Sequence, residues 1–316
     1  MTTLRNHDYK KERLHKLGTE LLTKKGKILY DVVLLQEFFG AFYSDRHREY
    51  FVDLMKQVRH KLTACFATAL INKEGGALSS YLHTLPKLSH SAQLGYKFHG
   101  KSSRSFFSSF PSLWANAGLA IFSPYPVKDI VARPFKNQSF YDRWMAARGI
   151  ISATVSLPSD KGGDMRFFSV HVGPTVYVLS SFDFIPVFIK QMADKFALQI
   201  GEVQDEITRQ AKKHNLRGVI GGDFNVRVNT EPYKFLKDRL EDIGYVCKST
   251  EFELPGAKMT ANPPGEYLLT GGTREAKILD YFFSDLPGGS SEVANMTVSH
   301  DAFNMNSDHA PIILRF

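Results

Sequence analysis

Val219-Ile220-Gly221-Gly222-Asp223-Phe224-Asn225 reads as a buried strand that stops on a carboxylate and, two residues later, an amide. Two β-branched residues and two glycines put nothing polar on either face before Asp223, as a strand covered on both sides requires. Taken alone, Asp223 and Asn225 are an ordinary Asx turn. The same shape recurs outward along the chain. Asp31-Val32-Val33-Leu34-Leu35-Gln36-Glu37 keeps its polar residues to its ends, Arg166-Phe167-Phe168-Ser169-Val170-His171 stops on an imidazole, residues 278–284 carry Asp280, and Asp308-His309 stands before a terminal strand at 310–316. Each has a bland explanation singly: an exposed strand terminus, a satisfied core histidine, a turn. Together they set Glu37, His171, Asp223, Asn225, Asp280, Asp308 and His309 at the C-terminal ends of apolar strands, where scaffolds present their sites.

Between these strands the period changes. Leu14, Leu17, Leu21 and Leu22 among lysines and arginines predict an amphipathic helix over 9–22, and Tyr50, Phe51, Leu54, Met55, Val58 and Leu62 predict another over 46–62. Residues 72–110 lose all period and read as a loop insertion. Strands follow at 118–123, 149–157 and 166–171. Ile189, Met192, Phe196, Ile200, Val203 and Ile207 step by three or four, predicting a long helix, and residues 231–240 predict a shorter one capped by Thr230. No repeat and no long linker interrupts the chain, so residues 1–316 are expected to form one domain, an α/β sandwich with sheets inside and helices outside.

Composition excludes several classes. The 316 residues are 43% hydrophobic and 23% charged, with 23 Gly and 14 Pro, which rules out disordered and collagen-like chains. Cys65 and Cys247 are too few for a disulfide framework or a cysteine zinc site, and residues 1–26 contain no apolar signal core, so an intracellular location is expected. The uncharged window 105–127 is broken by Pro111, Pro124 and Pro126 and fails as a membrane span. Forty Lys+Arg against 32 Asp+Glu give a net charge of +8, and residues 1–61 hold 13 of those cations against 8 acids. That balance suits a polyanionic partner, nucleic acid or an anionic membrane surface, or else only a solvated basic face.

The strand-end residues share a chemistry. Carboxylate and amide oxygens without thiolates suit Mg²⁺, or Mn²⁺ in its place, and two histidines on separate strands are a poor zinc signature. Mg²⁺ held by one or two carboxylates is typical of sites for phosphate-bearing substrates, and neighbouring imidazoles can hold or move protons there.

The motifs Leu35-Gln36-Glu37, Gly118-Leu119-Ala120-Ile121-Phe122-Ser123, Ser169-Val170-His171, Gly222-Asp223-Phe224-Asn225, Leu279-Asp280-Tyr281 and Ser307-Asp308-His309 resemble, in order and spacing, the endonuclease/exonuclease/phosphatase superfamily. The resemblance runs from about Asn6 to Phe316. It implies the deoxyribonuclease I-like fold, a four-layer sandwich of two central mixed β-sheets flanked by helices. It implies that Glu37 ligates the metal with Asp308, that His171 contacts the scissile phosphate, and that Asp223 orients or deprotonates the attacking water. Asn225 would steady the phosphate or a metal water, and Asp280 would fix the tautomer of His309. The resemblance leaves the general base open between the aspartate and the histidine. Asn6 is the available match for a metal-adjacent asparagine. Asn116 stands where many nuclease members carry a carboxylate supporting the histidine, and it is grouped with Arg143 and Arg148 as a substrate contact.

Within the superfamily, Glu12-Arg13-Leu14-His15-Lys16-Leu17-Gly18 and the stretch 118–127 are most similar to neutral sphingomyelinases. The apolar run 176–189 after His171 reads as an interfacial lid suited to a lipid surface, or else as a core-packed turn. A phospholipid headgroup diester such as sphingomyelin is the expected substrate, with peripheral membrane contact. A DNA or RNA nuclease, with a nuclear location open to it, an inositol-phosphate phosphatase and a non-catalytic scaffold are the alternatives.

Overall fold

The computed structural model describes residues 23–24, 27–28, 30–36, 63–66, 119–138, 148–174, 186–249, 279–288, 290–293 and 312–316. The strands are β1 (Thr23–Lys24), β2 (Lys27–Ile28), β3 (Val33–Leu35), β4 (Thr63–Phe66), β5 (Ala120–Ser123), β6 (Val127–Pro134), β7 (Gly149–Ser156), β8 (Asp164–His171), β9 (Gly218–Asp223), β10 (Val246–Cys247), β11 (Asp280–Ser284), β12 (Ser290–Val293) and β13 (Ile312–Arg315). The helices are α1 (Pro186–His214) and α2 (Glu231–Glu241). Among the described residues, no helix is long and apolar enough to cross a membrane.

Six strands form one sheet in the order β10-β11-β9-β8-β7-β6, and three form a second in the order β3-β5-β4. The larger sheet is mixed, because β8 and β9 run parallel and every other pairing in it is antiparallel. The parallel pair needs a crossover, which α1 supplies. In the smaller sheet β5 pairs antiparallel with both neighbours.

Strand alternation gives the larger sheet two different faces. Ile150, Phe168, Val170, Ile220, Tyr281 and Phe283 lie in one core with Phe196, Ile200, Val203 and Ile207 of α1 and Tyr233, Leu236 and Leu240 of α2. Ile151, Ala153, Val155, Met165, Phe167 and Val219 lie in the other core with Leu119 and Ile121, and Val32 and Leu34 pack against it. A Cβ on Gly221 would collide with the Phe282 ring and come within 2.8 Å of Leu34 Cδ1, so the glycine lets the two sheets approach. The helices, the large sheet and the small sheet thus form three layers, and β1 with β2 and β12 with β13 make two further two-stranded antiparallel sheets. The predicted helices at 9–22 and 46–62, and the insertion at 72–110, lie outside the described residues.

Both strands of the parallel pair and β7 match their predicted spans closely, and α2 is capped as expected, with Thr230 Oγ1 accepting from the Tyr233 N–H at 3.4 Å. Three expectations are corrected. Residues 127–134, given no element above, are the eight-residue edge strand β6, whose exposed Lys128, Asp129 and Arg133 hide its period. A bulge between Lys128 and Val131, with Asp129 at φ 52°, blunts that edge against further pairing. The 176–189 run does not stay irregular to its end: Pro186 opens α1, a position that tolerates proline because the first N–H groups of a helix have no intrahelical acceptor. Residues 176–185 lie outside the described residues. The third correction concerns Asp280.

Candidate active site

Strand register brings the predicted residues into one row. On β8 His171 stands opposite Gly149 of β7 and Asp223 of β9, and Asp223 in turn stands opposite Asp280 of β11. Neighbours in such a row are about 4.8 Å apart across the sheet. By alternation His171 follows Met165 and Phe167, Asp223 follows Val219, and Asp280 precedes Phe282, so all three occupy the face toward the small sheet. Asp280 begins β11 and does not end it. Because β11 runs antiparallel to β9, its first residue reaches the edge at which β8 and β9 finish.

The turn after β9 is built by its own side chains. Asn225 adopts φ 52°, a left-handed conformation that asparagine tolerates better than most residues. Its N–H donates to Asp223 Oδ1 at 2.8 Å, and its Nδ2 donates to Asp223 Oδ2 at 3.2 Å and to the Val172 carbonyl at 2.8 Å. The Asx turn is therefore real, and it orients the acid. Val172 N–H donates to the Asp223 carbonyl at 3.0 Å, and Tyr281 Oη donates to the Val226 carbonyl at 2.8 Å, fastening the turn to β8 and β11. Gly222 admits no side chain, since a Cβ there would run into the Val170 carbonyl of β8.

His171 is fully buried, with Nε2 3.4 Å from Asp223 Oδ2. Arg148, buried immediately before β7, places Nη1 2.8 Å from His171 Nδ1 and also touches Nε2. The cation expected to meet substrate thus rests on the imbedded imidazole. The end of β3 arrives at the same place, since Gln36 Nε2 donates to Ser169 Oγ at 2.8 Å, two residues before His171. Gln36 and Ser169 stand inside two of the motifs quoted above, yet nothing in either segment announces their bond, because a polar pair between sheets shows no period.

Arg148, His171, Asp223, Asn225 and Asp280 therefore converge. Asn6, Glu37, Asn116, Arg143, Asp308 and His309 lie outside the described residues, as does the expected pairing of Asp280 with His309. Among the described residues no three of His, Cys, Asp and Glu form a group that could hold a metal ion. The oxygen donors present, two carboxylates and an amide without a thiolate, fit the chemistry of Mg²⁺ or Mn²⁺.

No protein-family model and no curated protein sequence matches the chain. Solved structures do. The chain is similar to a magnesium-bound mutant of beta toxin from Staphylococcus aureus, at 17% identity over 96% of this chain and 91% of that one, with a TM-score of 0.60. It is similar to sphingomyelinase C from Streptomyces griseocarneus, at 13% identity, 96% and 91% coverage, and a TM-score of 0.60. An endonuclease/exonuclease/phosphatase family protein from Leptotrichia buccalis C-1013-b matches at 16% identity, 99% and 96% coverage, and a TM-score of 0.56. With its paired sheets, its outer helices and these matches over nearly its full length, the chain has the deoxyribonuclease I-like fold.

Proposed function

We propose that the chain is a Mg²⁺-dependent phosphodiesterase that hydrolyses a phospholipid headgroup diester such as sphingomyelin. The observation that carries the reading is the buried row of His171, Asp223 and Asp280 across three adjacent strand ends, with Arg148 on the imidazole and Asn225 on the carboxylate. Likeness to a sphingomyelinase C and the apolar run 176–189 support lipid over nucleic acid.

Asp223 orients or deprotonates the attacking water, its angle fixed by the two Asn225 donors. His171, backed by Arg148, meets the phosphoryl oxygens as charge builds on them. Asn225 steadies the same group, and Asp280 fixes His309, which holds or delivers a proton. Glu37 and Asp308, with Asn6 beside them, would hold the metal, and Asn116, Arg143 and Arg148 would line the substrate. Mg²⁺, when bound, supplies positive charge that offsets the negative charge developing at phosphorus, and Mn²⁺ can replace it.

Residues 176–185 would contact the bilayer surface, assisted by the net charge of +8. The scarcity of cysteine supports an intracellular location, cytoplasmic or peripheral to a membrane. The test is a parallel assay of the purified protein with Mg²⁺ on sphingomyelin vesicles, single- and double-stranded DNA, RNA and inositol phosphates. Vesicle turnover should dominate, vanish with EDTA and return with Mg²⁺ or Mn²⁺. Preferential cleavage of nucleic acid would replace the lipid reading, and full activity of Glu37→Ala in chelator would remove the metal mechanism.

A further inference from the structure

Gln199 lies on α1, is 1% exposed, and uses both ends of its amide. Its Oε1 accepts the Gly173 N–H at 2.8 Å, and its Nε2 donates to the Asn137 carbonyl at 2.9 Å. Gly173 follows His171 by two residues, at a point where β8 has ended and strand pairing no longer serves its N–H. A buried N–H must still be paired, and Gln199 pairs it.

The second bond reaches the segment that follows β6. There the Phe135 N–H donates to the carbonyl of Arg148, the residue before β7, at 3.0 Å. Glu202, one helical turn beyond Gln199, accepts the backbone N–H groups of Lys136 and Asn137 at 2.8 and 3.0 Å, and Asn137 Nδ2 at 2.9 Å. One face of α1 therefore grips both backbone segments that carry Arg148 and His171, whose side chains touch.

We propose that Gln199 is a positioning residue that sets how Arg148 meets His171, with Glu202 as its weaker partner. The kinetic consequence rests on the phosphodiesterase reading, whereas the geometric consequence does not. Only an amide serves here: glutamate keeps the acceptor for Gly173 and loses the donor to Asn137, and methionine fills the volume and makes neither bond.

The experiment compares wild type with Gln199→Met, Glu202→Ala and, as a control on the same helix, Gln204→Ala, whose native side chain bonds the Arg239 carbonyl. The readouts are the ¹⁵N shifts of the His171 ring, assigned with His171→Gln, and kcat and KM on bis(p-nitrophenyl) phosphate with Mg²⁺. Gln199→Met should move the His171 ring signals and lower kcat by roughly 10²-fold with little change in KM, the scale of a misplaced reacting group. Glu202→Ala should act in the same direction with a smaller shift, and Gln204→Ala should leave both readouts at wild type. Unmoved ring signals with unchanged kcat and a lowered melting temperature would overturn the proposal and leave Gln199 a buried amide that only aids folding. If wild type cleaves no phosphodiester, the functional reading fails and the ring signals alone decide the positioning role. If Gln199→Met does not fold, Glu202→Ala decides it: moved signals support the grip, unmoved signals overturn it.

Discussion

Two buried polar clusters sit on opposite faces of the same sheet, and both use β8. Arg166, 1% exposed near the start of that strand, faces the helices. Its Nη1 donates to the Asp129 carbonyl at 2.7 Å and Thr154 Oγ1 at 3.1 Å, and its Nη2 to Ser152 Oγ at 2.7 Å and Gln210 Oε1 at 2.9 Å. Gln210 passes the chain of bonds to Glu206, which also meets Arg133 and Arg209, each with an Nε at 3.0 Å. Cations and acceptors alternate throughout. At the other end of β8 the arrangement is less comfortable, because Asp223 and Asp280 stand directly opposite each other in the sheet. Like charges in that register oppose folding. A cluster that meets its cations with buried acceptors serves stability. One that sets acids in register is suited to drawing in a cation, at some cost to stability.

The sharpest break of this contrast is Asp223→Asn. Asparagine keeps an oxygen for the Asn225 N–H, loses the 3.2 Å bond that Asn225 Nδ2 donates, and removes one of the two opposed carboxylates. On the proposed reading, turnover should fall by about 10²–10⁴-fold, the range for a lost acid–base group, while the melting temperature stays close to wild type because the lost bond and the lost repulsion oppose each other. A large loss of stability with turnover intact would reverse the roles of the two clusters.

Arg166→Leu should do the opposite. It leaves the hydroxyls of Ser152 and Thr154 and the Gln210 amide without their buried donor, at a cost of about 3 kcal/mol. Urea unfolding should report that loss, and activity per folded molecule should hold. Equal stability in the variant would show that the interior network contributes nothing net.

How much of this the chain discloses before folding depends on whether a feature is local. β7, β8 and β9 are legible because both their faces are buried and each carries an adjacent apolar pair, Ile150-Ile151, Phe167-Phe168 and Val219-Ile220. β6 is not, because charged edge residues break its alternation, and the two-residue β10 is too short to have a period. Asp223, Asn225 and His171 are legible as polar stops on apolar strands. Asp280 is legible as a residue but not as a strand start, since strand direction is a property of pairing. Arg148 is visible as a cation, yet nothing within 23 residues announces that it meets His171. Gln199 reads as one more polar position on an amphipathic helix until the loops it holds are in place.

The smallest expected effect sharpens the same contrast from the interior side. His214 ends α1 with Nδ1 3.9 Å from Asp129 Oδ2, and its buried Nε2 has no hydrogen-bond partner among the described residues. Burial first, and then the Arg166 guanidinium, hold its pKa below the ordinary 6.5, with Lys213 and Arg209 acting in the same direction and Asp129 against them. The folded chain therefore keeps His214 neutral where the unfolded chain has begun to bind a proton. Its contribution to stability is full above pH 6.5 and shrinks as the pH falls through that value toward the lower folded pKa. Urea midpoints measured across this range should decline with acid in wild type and decline less steeply in His214→Phe. Parallel curves for the two proteins would show that His214 titrates alike in both states, detaching it from the Arg166 network. Activity per folded molecule should follow the same pH curve in both proteins, because His214 belongs to the cluster that holds the sheet and helices together and not to the row at the strand ends.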